Sequence, residues 1–81
     1  MEIKILGPGC KNCVTLDRIT REVVAEMGIT ATFEKIEDYA AIVGFGVMST
    51  PALIIDGKVI LSGRVPTPTH LKEILQQVVA I

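Results

Sequence analysis

Apolar positions recur along the chain in two rhythms, and the alternation between them lays out the fold. Glu2 to Leu6 has Ile3 and Ile5 on one face, the period-two pattern of a strand, and Gly7-Pro8-Gly9 ends it. Leu16, Ile19, Val23, Val24 and Met27 then recur at steps of three and four, with Asp17, Arg18, Arg21, Glu22 and Glu26 on the opposite side. This predicts an amphipathic helix from about Asn12 to Met27, closed by Gly28 as its C′ residue. Thr30 to Ile36 returns to alternation, with Ala31, Phe33 and Lys35 set against Thr32, Glu34 and Ile36. Two strands joined through a helix of this length predict a right-handed parallel crossover with the helix packed on the sheet.

The second half changes rhythm. Asp38 is placed to cap a short helix through Tyr39, Ala40, Ala41, Ile42 and Val43, which Gly44 and Gly46 weaken and end. Ala52-Leu53-Ile54-Ile55 and Lys58-Val59-Ile60-Leu61 flank Asp56-Gly57, a strong hairpin signal, so these two runs should pair antiparallel. Beyond Gly63, Arg64 to Pro68 reads as loop, with Thr67 as N-cap and Pro68 as first residue of a last helix. Leu71, Ile74, Leu75 and Val78 mark the buried face of that helix, which runs to Val79. The predicted order is βαβαββα, without internal repeat, low-complexity segment or linker.

Composition narrows the setting. Eighty-one residues, 49% hydrophobic and 21% charged, predict one domain over residues 1–81 and no apolar run of membrane-span length. The N-terminus enters a strand pattern directly, without the basic and apolar regions of a secretory signal, so the expected location is cytoplasmic. A formal charge of −1 and three aromatic residues supply neither a basic face nor a stacking platform for nucleic acid. The expected partners are thus neither nucleic acid nor membrane.

Both cysteines of the chain fall in one heptapeptide, Gly7-Pro8-Gly9-Cys10-Lys11-Asn12-Cys13, where the first strand passes into the first helix. Two thiols three positions apart at a helix start close a disulfide if the first turn brings them together. Unpaired backbone N–H groups, the positive end of the helix dipole and the charge of Lys11 all favour a thiolate at Cys10. A helix N-terminus contributes about 0.3–1 kcal/mol, reaching about 2 in a partly buried site, which lowers a thiol pKa by about 0.2–1.5 units from about 8.5. A staple is a weak reason for these cysteines, because closing so short a loop contributes only about 2 kcal/mol. In a reducing compartment such a pair more commonly binds metal or cycles between redox states, and the spacing alone leaves both open.

The residues further along bear on that choice. With Cys-x-x-Cys after the first strand, and Met48-Ser49-Thr50-Pro51-Ala52-Leu53-Ile54-Ile55-Asp56-Gly57 before the hairpin, the chain resembles the thioredoxin/glutaredoxin family over its full length. Its Gly-x-Gly-Cys-x-x-Cys loop is similar to that of very small thioredoxin-like, redox-active disulfide proteins of archaea and anaerobic bacteria. The resemblance implies an α/β, minimal thioredoxin fold, with a four-stranded mixed sheet and three helices. It implies a thiol-disulfide oxidoreductase without a cofactor or metal, working as a monomer between disulfide-containing protein substrates and a thioredoxin-reductase-like electron donor. Cys10 would attack and Cys13 resolve. Gly9, Lys11 and Asn12 of the loop, the Thr50-Pro51 wall with its cis-proline, and the neighbouring Gly63 would meet the substrate.

Several residues keep two readings. Ordinary thioredoxins carry Trp-Cys-Gly-Pro-Cys and bury a carboxylate six positions before the first cysteine; this chain has no tryptophan, and that position is Lys4. Lys4, a water or no specific group at all could handle the proton of Cys13. The rival functions are a soft-metal carrier of the copper type and a non-catalytic binding module. Copper-type domains run βαββαβ and end on a strand, whereas this chain should end on a helix. A structural zinc site needs four ligands, and only Cys10, Cys13 and the distant His70 offer themselves. His70 is a ligand or base on one reading and solvent-exposed on the other. Phe45, Val47 and Met48 form either an apolar docking rim or a core closure, and Arg64 either steers an acidic partner or is simply solvated.

Overall fold

The computed structural model describes residues 1–9, 11–47 and 49–79. Its elements are β1 (Glu2–Leu6), α1 (Lys11–Glu26), β2 (Thr32–Ile36), α2 (Tyr39–Gly44), β3 (Ala52–Ile55), β4 (Lys58–Ser62) and α3 (Pro68–Val79). This is the predicted order, with shifts of one or two residues at several ends. The largest is at β2, which starts at Thr32 because its parallel ladder with β1 begins at the pair Glu2↔Thr32.

The four strands form one mixed sheet in the order β2-β1-β3-β4, with β1 parallel to β2 and antiparallel to β3, and β3 antiparallel to β4. Each helix boundary has a local cause. At the end of α1, Gly28 takes a φ of +70°, its N–H donates to Ala25 O and that of Ile29 to Val24 O, which satisfies two carbonyls the helix leaves open. At the start of α2 the Asp38 carboxylate accepts from Ala41 N at 3.2 Å, and at the start of α3 the Thr67 hydroxyl accepts from His70 N at 3.1 Å. Asp56 and Gly57 both have positive φ, 49° and 85°, which is the two-residue turn whose twist suits a hairpin. Between Leu53 and Ile54 the β3–β4 register shifts, so that Leu53 faces Leu61 while Ile54 faces Val59. Ile60 is the extra residue of this bulge.

Side chains leaving the two faces of the sheet form two cores. On one face Ile3, Ile5, Leu53, Ile55 and Leu61 meet Leu16, Ile19, Val23 and Val24 of α1 and Leu71 and Leu75 of α3. On the other, Leu6, Ala52 and Ile54 meet Ile42 of α2 and Val47, with Ile36 and Phe45 packed against them. Two full helices cover the first face, and one six-residue helix covers part of the second. β3 is therefore the strand buried on both sides, and all four of its residues are buried.

Truncation of Leu53, fully buried on β3, should lower stability by about 2–5 kcal/mol, whereas Val59→Ala, at an exposed position, should stay within about 0.5 kcal/mol. Urea unfolding followed by circular dichroism measures both. Equal losses at the two sites would contradict the packing described.

Candidate functional site

Where β1 ends, the chain must cross the top of the sheet and enter α1 within a few residues. Gly7 N donates to Ile36 O at 2.8 Å, which carries the parallel β1–β2 ladder one residue past the strand. The lack of a side chain at Gly7 then does steric work. A Cβ built there would lie 2.2 Å from Cys13 Sγ and 3.9 Å from Thr50 Cβ. The sulfur of Cys13 is thus seated against the backbone of Gly7, with the Thr50 side chain on the same spot. Cys13 is 2% exposed and disulfide-bonded. Cys10, first in the sequence motif, lies outside the described residues, as does Met48.

A second loop, leading into the neighbouring strand β3, closes on the first at the same end of the sheet. The Thr50–Pro51 peptide is cis, Pro51 is buried and Thr50 half-buried. Gly63 N donates to Pro51 O at 2.8 Å, and a Cβ on Gly63 would come within 3.0 Å of Ser49 Cβ, at a φ of +79°. Gly63 is therefore fixed beside the Ser49–Pro51 loop by a hydrogen bond and by the absence of a side chain. Next to Thr50 a groove of about 440 Å³ opens, lined also by Tyr39, Ile42, Val43, Gly46 and Val47. Tyr39 and Val43 are 64% and 68% exposed, so α2 shows apolar surface to solvent at this end.

A thioredoxin-domain family model matches residues 1–76. The chain belongs to the thioredoxin family. It is 43% identical over 75 residues to a thioredoxin of Methanothermobacter thermautotrophicus, which covers 93% of this chain and 97% of that protein. A thioredoxin of Methanocaldococcus jannaschii is 31% identical over 74 residues, covering 91% and 85%. Among solved structures, thioredoxin from Trypanosoma brucei brucei superposes with a TM-score of 0.67 at 19% identity, over 99% of this chain and 75% of that one. Thioredoxin 1 of Thermosipho africanus gives 0.67 at 15% identity, over 99% and 96%. At those identities the likeness establishes the thioredoxin fold.

Other residues singled out in the sequence fall as follows in this thioredoxin-family chain. Gly9, Lys11 and Asn12 are exposed at the head of α1, and Gly9 has a φ of +84°. Lys4 alternates with Ile3 and Ile5 and leaves the sheet on the α2 side. There its ammonium lies 3.5 Å from a Glu2 oxygen, 4.0 Å from a Glu34 oxygen and 5.0 Å from the centre of the Phe45 ring. Val47 is buried in the second core and Phe45 packs against it, while Val47 also lines the groove. His70 stands 3.9 Å from Glu73 on the exposed side of α3, and Arg64 is exposed. Among the described residues no group of three His, Cys, Asp or Glu side chains is placed to hold a metal ion, and no helix is long and apolar enough to cross a membrane.

Two residues that bear on the site carry no sequence signal of their own. Gly7 reads as one more turn glycine before Pro8, yet the structure uses it for a close approach to sulfur. Glu37 falls between a strand and a helix cap, and its carboxylate reaches back to within 3.4 Å of where a Cβ on Gly9 would lie.

Gly7→Ala should destabilise the oxidised protein by about 1–3 kcal/mol through overpacking against Cys13 Sγ, and the reduced protein by less, because a free thiol rotates away. Urea titrations with and without reductant test this. Equal losses in both states would show that contact with the sulfur is not the cause.

Proposed function

We propose that this chain is a thiol-disulfide oxidoreductase that reduces protein disulfides by a cycle between Cys10 and Cys13. The observation that carries the reading is the seat of Cys13: a buried, disulfide-bonded sulfur in the first turn of α1, held against Gly7 and facing the Thr50–Pro51 loop. Membership of the thioredoxin family and relatives named thioredoxin at 43% and 31% identity support it.

In the proposed cycle the Cys10 thiolate attacks one sulfur of a partner disulfide and expels the other as a thiolate, which leaves a mixed disulfide. The Cys13 thiol gives up its proton and attacks Cys10 Sγ. The Cys10–Cys13 bond forms, the bond to the partner breaks, and the partner leaves with two electrons and its thiols. A thioredoxin-reductase-like donor returns the electrons. The burial of Cys13 suits this division of labour, since a resolving thiol needs access to its neighbour and not to solvent.

Recognition would use backbone and shape. The Thr50–Pro51 loop presents main chain beside the dithiol, where an extended substrate segment can add as a strand. The exposed Gly9, Lys11, Asn12 and Gly63 would meet such a segment, and the exposed Tyr39 and Val43 offer apolar surface in the groove beside Thr50. The reading includes work as a monomer in the cytoplasm.

Insulin turbidity in the presence of dithiothreitol should show catalysed reduction by the parent chain and none by Cys10→Ser. Cys13→Ser should accumulate a covalent adduct with a disulfide partner that thiol reductant releases. Adduct without turnover by the parent would point to a binding module. A parent chain whose dithiol cannot be reversibly oxidised would overturn the reading.

A further inference from the structure

We infer that Glu37 is a positioning residue for the dithiol, an exposed negative charge beside the loop that opposes the thiolate of Cys10 and raises its proton affinity. This rests on the proposed role of Cys10 as the attacking thiol. Glu37 follows the last residue of β2, and Ile36 O is tied to Gly7 N at 2.8 Å, so the end of β2 and the start of the dithiol loop are joined by a backbone hydrogen bond. From that anchored point the Glu37 side chain lies over the loop, with Oε2 3.4 Å from the Cβ position of Gly9. Gly9 has no Cβ and a φ of +84°, so nothing at that residue stands between the carboxylate and the backbone leading to Cys10.

The carboxylate has no competing structural role. Glu37 makes no hydrogen bond or ion pair among the described residues, whereas the adjacent Asp38 caps α2 through Ala41 N. Neighbouring Cα atoms are about 3.8 Å apart, so a charge lying beside Gly9 acts on the next residue at a range of the order of the Debye length. The other charges on the segments bordering the loop are Lys4 on β1, which is half-buried and lies near Glu2 and Glu34, and the exposed Glu34 and Lys35 on β2, Asp38 beside Glu37, Lys11 at the head of α1 and Arg64 beyond Gly63. The Ser49–Pro51 loop brings none. Lys11 and the α1 N-terminus pull the thiol toward thiolate, and Glu37 pulls against them. The balance matters for rate, because a thiol with a pKa near ambient pH is the better attacker than one ionised far below it.

The direction is set by sign. Removing a like charge stabilises the thiolate and lowers the pKa. At roughly 6–10 Å and an effective dielectric between about 40 and 80, one charge shifts a pKa by roughly 0.3–1 unit. In a full-length Cys13→Ser background, where Cys10 is the single thiol, Glu37→Gln should therefore lower the midpoint of iodoacetamide alkylation by that amount. Alkylation at pH 6 should rise by about two- to tenfold. Glu37→Asp, which keeps the charge, should restore most of the parent profile, and molar salt should shrink the difference between parent and Gln variant. A Gln variant with an unchanged profile overturns the inference. So does one whose midpoint rises, because an ionised carboxylate has no proton to donate to a thiolate and, as a like charge, can only raise its pKa. Alkylation needs neither substrate nor reductase, so failed insulin reduction with an intact pKa shift would count against the proposed function and leave this inference standing.

Discussion

The contact on which the site depends is that of Cys13 Sγ with the backbone of Gly7. It fixes how closely α1 approaches the end of β1, and through α1 the seating of Leu16, Ile19 and Val23 on the sheet. The same point takes the side chain of Thr50, which ties the loop before β3 to the turn after β1. Since β1 lies between β2 and β3, one backbone position joins the parallel and the antiparallel halves of the sheet. An ordinary side chain there would push sulfur, helix and loop apart. Interiors packed as densely as crystals pass such a displacement on instead of absorbing it.

The two cores serve this junction unequally. The face under α1 and α3 has the larger set of fully buried aliphatic side chains and carries most of the hydrophobic stabilisation. The face under α2 has fewer, and its helix is a turn and a half long, capped by Asp38 and stopped at Gly44 with Phe45 as C-cap. A helix that short draws its stability from packing, here through Ile42. Tyr39 and Val43 consequently stay in solvent beside Thr50. Apolar surface at that end is thus a product of how little helix the chain spends on that face.

Much of this was legible in the sequence because it rests on local chemistry. Asp56-Gly57 announces a turn needing two positive φ values, Gly28 a helix end, and Thr67-Pro68 a helix start; each acts within four residues, so the pattern and the structure agree. The order of elements, with the resemblance carried by Cys10, Cys13, Thr50 and Pro51, led to the thioredoxin fold. What was not legible depends on approach between distant segments. Gly7 shows no period or motif distinguishing it from Gly9, and its meaning appears only when Cys13 is placed against it. The Ile60 bulge leaves no glycine or proline to mark it, and it sets Val59 opposite Ile54, on the partly covered α2 face, where Val59 stays exposed. Phe45 and Val47 admitted both core and rim readings, and the structure packs both in the second core, with Val47 also lining the groove beside Thr50.

Lys4 shows how far a family pattern carries at a position whose chemistry has changed. Thioredoxins commonly keep an acid there, and a lysine brings the opposite charge to a half-buried place on the central strand β1. The structure accommodates it by turning neighbours into partners: Glu2 on the same strand, Glu34 directly across the parallel ladder, and the face of the Phe45 ring. Each is weak alone, about 0.5–1 kcal/mol for a cation over a ring and less for exposed ion pairs, but together they hold the ammonium on the α2 side of the sheet. The acidic group that does lean on the dithiol loop comes from the other end of the neighbouring strand: β2 places Glu34 against Lys4 and, just past its last residue, Glu37 against Gly9. Within four residues of one edge strand, this chain thus neutralises its unusual lysine and brings a carboxylate to the loop by a different route.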